Sequence, residues 1–208
     1  SQPTYIKKYN AQITSIVVKE GVTSISNYAF YTMSAVTSVS LPSTLASIGD
    51  DAFEGVKTIT SFSCAEGCML TVNGKFVLKN KGTEIYTYLG AMEGVITIPD
   101  GVTKVGALFS GSDITGIIFP DSVKEISGTN YTTWNGPFVN CKKLESVTIP
   151  CDITQTGVFK GCTALKEVTF KEGVTAIADY TFNNCTALTT INLPKSLVSF
   201  NGGAFQGC

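Results

Sequence analysis

Residues 165–188 read LKEVTFKEGVTAIADYTFNNCTAL, and most of the chain consists of copies of this stretch. Apolar residues alternate with polar ones at Val168 and Phe170, which is typical of a half-buried strand. From Val174 to Leu188 the apolar residues are spaced more widely, which indicates a tight turn followed by a short helical turn. One repeat therefore supplies one strand and the connection to the next strand.

This frame recurs along the whole chain. Ile13, Val36 and Ile59 are separated by 23 residues, as are Leu165 and Leu188. A fixed period in this range is the mark of a solenoid, in which each repeat covers the core of its neighbour. The sequence predicts a single solenoid domain over residues 1–208. Its units start near residues 13, 36, 59, 93, 114, 144, 165 and 188.

Two segments leave the frame. Residues 70–94 contain two β-prone runs, KFVL and EIYTYL, separated by turn residues, which predicts a hairpin insertion. Residues 127–137 form a shorter and mostly polar loop insertion. Because insertions in solenoids often map to a binding face, both segments are candidate ligand contacts.

The repeat pattern L-x-x-I-x-I-P-x-x-V-x-x-I-x-x-x-A-F-x-x-C resembles the BspA-like leucine-rich repeat family of bacterial and protozoan surface proteins. AF pairs carry the resemblance at residues 29–30, 52–53 and 204–205, as do the F-x-x-C endings at Cys141, Cys162, Cys185 and Cys208. It implies an α/β repeat solenoid that is right-handed, with a concave parallel β-sheet, short helical or 3-10 turns on the convex side and a β-hairpin insertion. It also implies a secreted or cell-surface location and a role in adhesion.

Two columns of equivalent residues are expected to form the core. The phenylalanine column consists of Phe30, Phe53, Phe138, Phe159, Phe182 and Phe205. Each buried ring contributes about 2–3 kcal/mol by area transfer, so this column is expected to hold neighbouring repeats together. The cysteines of the F-x-x-C endings are equivalent to Met33 and Val56, which predicts buried free thiols.

The other three cysteines divide into two groups. Cys64 and Cys68 are equivalent to Leu41 and Leu45, so both are expected in the core. Cys151 is equivalent to polar residues and is the one thiol expected at the surface. The chain is expected to be a monomer, with a disulfide-linked dimer through Cys151 as the alternative.

The composition argues against several functions. The chain has no histidine, so neither a Ser/His/Asp triad nor an imidazole metal site is available. A net charge of −1 argues against nucleic acid, and no apolar run is long enough for a transmembrane segment. Paired carboxylates such as Asp50 and Asp51 leave a carboxylate-only hydrolase as an alternative that nothing else in the sequence supports. We expect no catalytic residue, metal or cofactor.

The strand face and the two insertions hold the candidate binding residues. Outward positions of the strands are small, hydroxylated and almost uncharged, so docking there does not bury unpaired charge. The candidates are Thr148, Thr169 and Asn192 on the strands, Tyr86 and Tyr88 in the hairpin, and Tyr131 and Trp134 in the loop. Trp134, the only tryptophan, is the expected anchor. The alternatives are a solvated sheet face and aromatic rings that pack on the solenoid edge.

The sequence thus predicts a non-catalytic module that binds proteins or glycans, including those of a host or an extracellular matrix. The alternative is a structural spacer that projects another module from the cell surface. An exposed apolar or aromatic patch on the strand face favours the binding module, and a uniformly polar surface favours the spacer.

Overall fold

The computed structural model describes residues 11–49, 52–53, 56–128 and 136–208. The chain divides into two compact units, Ser1–Ala91 and Met92–Cys208. In each unit, short strands from successive repeats pair in parallel, so that neighbouring repeats satisfy each other's backbone groups. A single domain over residues 1–208 stays a prediction.

The first unit begins with parallel repeats and ends with antiparallel strands. Its described strands are β1 (Ser15–Val17), β2 (Ser24–Ile25), β3 (Ser38–Leu41), β4 (Ser47–Ile48), β5 (Ser61–Cys64), β6 (Thr71–Asn73), β7 (Phe76–Lys79) and β8 (Glu84–Tyr88). Strands β1, β3 and β5 form one parallel sheet, and β2 pairs with β4 in parallel. Strand β7 is antiparallel to both β6 and β8. Strand direction therefore changes within residues 70–94.

The second unit repeats the parallel arrangement over a longer stretch. Its described strands are β9 (Glu93–Thr97), β10 (Lys104–Val105), β11 (Asp113–Ile118), β12 (Glu125–Ile126), β13 (Ser146–Ile149), β14 (Glu167–Phe170), β15 (Ala176–Ile177), β16 (Thr190–Asn192) and β17 (Ser199–Phe200). A five-stranded parallel sheet has the order β9-β11-β13-β14-β16. The short strands form two further parallel pairs, β10 with β12 and β15 with β17.

Helix is almost absent from the described residues, where the one helical element is a 3-10 turn at Ala107–Phe109. This part of the chain is a β-solenoid with one of the expected 3-10 turns, and the expected α/β character is not confirmed. The physical reason is local. Residues in the left-handed region interrupt the turns that precede or follow the phenylalanines, and an L-residue there ends a right-handed helix. They are Tyr28, Thr32, Asn140, Tyr180 and Asn184.

The phenylalanine column is confirmed as part of the core in both units, with its end members Phe30 and Phe205 only half-buried. In the second unit the rings of Phe138 and Phe159 lie 5.0 Å apart and 7° from parallel. Phe182 continues the stack 5.5 Å from Phe159, and all three rings are fully buried. In the first unit Phe30 stacks on Phe53 at 5.0 Å.

Phe109 also belongs to this column, although the sequence pattern did not assign it. Its ring stacks on that of Phe138 at 5.3 Å and is fully buried. The pattern missed it for two reasons. Leu108 precedes this phenylalanine where the pattern has alanine, and the 127–137 insertion breaks the spacing to the next repeat.

Three of the four column cysteines are buried as expected, and their thiols also form hydrogen bonds. The fourth, Cys208, is exposed, so its expected burial is wrong. Each thiol donates to the carbonyl of a phenylalanine in the preceding repeat. The pairs are Cys141 to Phe109 at 3.0 Å, Cys162 to Phe138 at 3.1 Å and Cys185 to Phe159 at 3.3 Å. Burial raises the pKa of the Cys185 thiol to about 12, so this thiol keeps its proton at neutral pH. The slot therefore accepts small or flexible apolar side chains, such as Met33 and Val56, and a cysteine there adds a hydrogen bond.

One repeat is shorter than its neighbour. Leu144 and Leu165 are 21 residues apart, whereas Leu165 and Leu188 are 23 apart. Ile149 is in register with Phe170, 21 residues later, but Ile153 forms its single β-bridge with Ile177, 24 residues later. The missing residues therefore fall between Ile149 and Ile153, and the short repeat has this one bridge instead of a second strand.

A carboxylate takes the place of the missing strand backbone. In the full repeat, the Thr175 carbonyl accepts hydrogen bonds from the amides of two successive residues, Val198 at 3.0 Å and Ser199 at 3.1 Å. In the short repeat, Asp152 Oδ1 accepts from the amides of Thr175 at 2.5 Å and Ala176 at 3.1 Å. Oδ2 accepts from the Thr175 hydroxyl at 2.8 Å. Burial opposes ionisation, but these hydrogen bonds outweigh it and lower the pKa of the Asp152 carboxyl.

Candidate binding surface

The outer face of the five-stranded sheet in the second unit is built by strand alternation. On β13, Val147 and Ile149 are buried, whereas Ser146 and Thr148 between them are exposed. Successive side chains of a strand point to opposite faces, so burial of the apolar set fixes which residues face outward. We call this outer face of β9, β11, β13, β14 and β16 the strand face.

Three of the predicted binding residues form one row on the strand face. Thr148 is in register with Thr169, and Thr169 is in register with Asn192. The Asn192 amide nitrogen donates to the Thr169 hydroxyl at 3.0 Å and to Glu167 Oε1 at 3.2 Å. Neighbouring strands lie about 4.8 Å apart, so the row offers hydroxyl and amide groups at regular intervals to a ligand. Sequence reasoning placed these three residues together correctly.

The other end of the strand face is apolar. Val95 on β9 is 65% exposed, and Ile118 on β11 is 53% exposed. Gly116 lies opposite Val95 in register, and a Cβ at that glycine would come within 3.3 Å of Val95 Cγ2. Thr97 lies opposite Ile118. Glycine at position 116 therefore leaves space for the exposed valine, and the strand face combines an apolar end with a hydroxyl and amide end.

Charged groups flank the strand face at the start of its strands. Lys143 Nζ lies 3.0 Å from Asp113 Oδ2, and Lys166 Nζ lies 3.0 Å from Glu145 Oε2. All four side chains are largely exposed, so the pairs are screened by solvent and add little stability. Glu93 at the start of β9 and Glu167 at the start of β14 add two further carboxylates, so acidic side chains outnumber the lysines at this edge.

The first unit has a similar but separate outward face made mostly of serines. Ser15, Ser38 and Ser61 are in register on β1, β3 and β5. Val17 is exposed on the same side of β1, in register with Ser40. This face is small and hydroxylated, as the sequence predicts.

Tyr86 is placed in the core and not at the surface. Its side chain is 9% exposed, and its hydroxyl donates to the Gly49 carbonyl at 3.0 Å. Its ring packs edge-on against Phe53, with 6.5 Å between the ring centroids. The expectation that Tyr86 is an accessible binding residue therefore does not fit its placement, because the hairpin turns this ring inward.

Tyr88 is half-buried. Its ring packs edge-on against Phe76 at 5.0 Å, and Lys75 Nζ lies 5.8 Å from the ring centroid. Part of the ring therefore supports the hairpin. Tyr131 and Trp134 fall at 129–135, outside the residues that the structure describes.

Exposed tyrosines in the turns were not anticipated. Tyr28 and Tyr31 are both exposed, and their rings meet edge to face at 5.8 Å. Tyr180 is also exposed and stands, like Tyr28, two residues before a column phenylalanine. In the last repeat the same position is Gly203, where an added Cβ would come within 2.5 Å of Tyr180 Cε1. Aligning this position across repeats would have revealed the pattern.

Cys151 is half-buried, which corrects the expectation that it is the one surface thiol. Burial raises the pKa of the Cys151 thiol to about 11, and Asp152 next to it adds to the effect. The exposed thiol is Cys208. Cys151 lies in the short repeat, so equivalence with the polar residues of full-length turns did not predict its burial. Its placement also weakens the case for a dimer linked through Cys151.

The described residues contain no cluster of three or more His, Cys, Asp or Glu side chains that could hold a metal ion. No helix in the same ranges is both long enough and apolar enough to cross a membrane.

Comparison with protein families gives a match over nearly the whole chain. The model described as a BspA type leucine rich repeat region matches residues 5–132 and 83–208, with 6 copies of the repeat. No curated protein matches the sequence.

Three solved structures illustrate the similarity of fold. A leucine rich cell surface protein from Faecalibacterium prausnitzii is 22% identical with a TM-score of 0.65, over 97% of this chain and 60% of that chain. A leucine-rich repeat protein from Bacteroides ovatus is 22% identical with a TM-score of 0.55, over 94% and 58%. The pneumococcal vaccine antigen PcpA is 13% identical with a TM-score of 0.58, over 92% and 57%. This chain thus spans about three fifths of each of these proteins.

Proposed function

We propose that this chain, which belongs to the BspA-type leucine-rich repeat family, is a non-catalytic binding module that contacts a protein or a glycan through the strand face. The observation that carries the proposal is the row formed by the exposed Thr148 and Asn192 and the half-buried Thr169, beside the exposed Val95 and Ile118. A surface with both hydrogen-bonding and apolar groups and little charge suits recognition, because docking leaves few charges desolvated.

The size of the sheet favours an elongated ligand. Five strands are about 24 Å across and about 13 Å long, or roughly 300 Å². A standard protein interface covers about 800 Å² on each partner. The strand face alone therefore fits a glycan chain or an extended peptide, and a globular partner needs additional surface of the module.

Residues outside the strand face enter the proposal on sequence grounds. Trp134 and Tyr131, in the 127–137 insertion, remain proposed contacts because they are aromatic residues in a polar loop. Tyr88 is retained as a partial contact, and Tyr86 is left out because its ring is buried.

The proposed location is the cell surface or the secreted state. Support comes from the family match and from the Faecalibacterium prausnitzii structure, which is described as a cell surface protein. We further propose the family's right-handed solenoid with the strand face on the concave side, and a monomeric state.

The test begins with a screen of the purified protein against glycan arrays and extracellular-matrix proteins. The affinity of the captured ligand is then measured by calorimetry for Thr148→Arg/Thr169→Arg, which places two bulky charges in the row. Thr163→Arg/Thr186→Arg is the matched control, because it makes the same chemical change at two exposed turn residues. We expect the row variant to lose at least about tenfold in affinity, equivalent to about 1.4 kcal/mol, and the control to bind normally. Equal affinity in both variants excludes the strand face.

A structural spacer is the second candidate. It is favoured by the lack of aromatic side chains on the outward positions of β9, β11, β13, β14 and β16. A screen that yields no ligand, with the protein folded, supports the spacer over the binding module.

A further inference from the structure

Two cysteines lie where the first unit leaves the repeat frame. Cys64 is the last residue of β5, and Cys68 follows a turn closed by a hydrogen bond from its amide to the Ala65 carbonyl at 3.0 Å. In the preceding repeat the equivalent residues are Leu41 and Leu45, which are both 2% exposed and belong to one core cluster. The repeat geometry therefore directs side chains 64 and 68 to the same side of the turn.

The two thiols interact with each other and remain accessible. Burial, and then the neighbouring Cys68 thiol, raise the pKa of the Cys64 thiol to about 12, so attack by Cys64 is slow at neutral pH. Both residues pack against the core cluster, yet both are only half-buried. Together with Glu66 and Leu70 they line an open cavity of about 430 Å³. A small solute can therefore reach the pair.

This pair differs from the column cysteines. Cys141, Cys162 and Cys185 stand on successive repeats, are fully buried and donate to backbone carbonyls. Cys64 and Cys68 stand in one turn, with three residues between them. A disulfide between them requires no movement of one repeat against another.

We propose that Cys64 and Cys68 form a thiol–disulfide exchange site, at which a low-molecular-weight disulfide such as oxidised glutathione converts the two thiols into an intramolecular disulfide. In the first step one protein thiolate attacks a sulfur of the small disulfide, which gives a mixed disulfide and releases one small thiolate. In the second step the other protein thiolate attacks the protein sulfur of the mixed disulfide, and the second small thiolate leaves. The two protons lost by the cysteines are taken up by the leaving thiolates. Two protein thiols are oxidised and one external disulfide is reduced, so the electrons balance.

The expected product joins the end of β5 to the turn that leads into the antiparallel strands. Disulfides persist in oxidising surroundings outside the cytosol, which is where a secreted or surface-attached module works. The site itself does not depend on the proposed ligand binding, so the two proposals fail separately.

The test uses the full chain, first reduced and then equilibrated with a series of oxidised-to-reduced glutathione ratios. Free thiols are alkylated in acid-quenched samples, and the products are mapped by intact and peptide mass spectrometry. We expect a species that has lost two hydrogens and carries a Cys64–Cys68 link. Hydrogen exchange should become slower in the amides of residues 65–69 of that species, because the bond restrains the turn.

Two variants sharpen the result. Cys68→Ser should trap Cys64 as a stable mixed disulfide with glutathione, since the second step has lost its nucleophile. Cys151→Ser, a change at another half-buried thiol, should leave the Cys64–Cys68 product unchanged. A persistent glutathione adduct on the parent protein without the internal link overturns the proposal. So does a disulfide mapped to any other pair, or a Cys64–Cys68 pair that stays reduced at every ratio.

Discussion

The two neighbouring repeats at residues 144–164 and 165–187 share a core and differ at one edge. Their column rings, Phe159 and Phe182, are both fully buried and stack 5.5 Å apart. Their column thiols, Cys162 and Cys185, make the same hydrogen bond to a carbonyl of the preceding repeat. At the edge, however, the longer repeat has strand β15, whereas the shorter one has the Asp152 carboxylate.

The difference shows which parts of a repeat are constrained. A core position must fill the space between two neighbours, so both repeats keep the same residue types there. The edge must only satisfy the backbone donors of the next repeat, so a carboxylate can replace a strand carbonyl. Loss of two residues is therefore tolerated at the edge and not in the column.

The largest loss of stability is expected from a substitution in the phenylalanine column. Phe182→Ala should lower the free energy of unfolding by about 3–5 kcal/mol, because the ring is fully buried and rings on both sides limit collapse into the cavity. Urea unfolding followed by circular dichroism measures the change. Phe205→Ala is the control, since Phe205 is only half-buried and should cost less. A Phe182 variant as stable as the parent would contradict the packing account.

A smaller effect is expected at the edge. Asp152→Ala should lower the free energy of unfolding by about 1 kcal/mol, because the amides of Thr175 and Ala176 lose their acceptor while retaining access to water. Asp152→Asn should cost less, since the side-chain amide oxygen still accepts a hydrogen bond. If Asp152→Asn loses as much stability as Asp152→Ala in the same urea measurement, the stabilisation does not come from a hydrogen-bond acceptor at this position.

The hydrogen bonds of the Asp152 carboxylate also predict that the stability of the fold depends on pH. The pKa of the folded Asp152 carboxyl is lowered, so its stabilisation is complete above the unfolded pKa of about 3.9 and is lost as the pH falls through the folded pKa. The stability difference between the parent and Asp152→Asn should therefore shrink below about pH 4. Urea unfolding of both proteins at a series of pH values tests this. If the stability difference between the two proteins stays constant down to the acid unfolding region, the ionised form of Asp152 is not what stabilises the fold.

The smallest effect concerns the thiol beside that carboxylate. Cys151 should react more slowly than Cys208 with an alkylating reagent, because it is half-buried and its pKa is raised to about 11. Its rate should continue to rise between about pH 8 and about pH 10 as the thiolate forms. Peptide-resolved labelling kinetics give both rates. Faster labelling of Cys151 at neutral pH would restore the view that this slot is an open surface position.

The repeat period and the core columns were predictable from the sequence because each depends on contacts that recur in every unit. Phe182 has an equivalent in almost every repeat, so recognising one buried phenylalanine predicts the position of the others. Cys151 was placed wrongly because equivalence with other turns assumes a turn of full length. Of the expected helical or 3-10 turns, one 3-10 turn is found in the described residues. The left-handed residues that interrupt the other turns, such as Tyr180 and Asn184, carry no strong signal in a single sequence.

The candidate site was predictable only in part. Strand alternation placed Thr148, Thr169 and Asn192 on one face, and their register was fixed by the repeat. Tyr86 lies in the 70–94 insertion, where no equivalent residue in another repeat shows which way the ring points. The apolar contribution of Val95 became evident only with its exposure and with the space left by Gly116.

The central claim is that the columns maintain the fold while the strand face is free to bind. It is tested most directly by measuring unfolding free energy and ligand affinity on two variants, Phe182→Leu and Thr148→Arg/Thr169→Arg. We predict that the first loses stability and binds normally below its unfolding transition. The second should lose at least about tenfold in affinity and keep its stability within about 0.5 kcal/mol of the parent. Normal affinity in the strand-face variant, or a loss of stability there equal to that of Phe182→Leu, would contradict the claim.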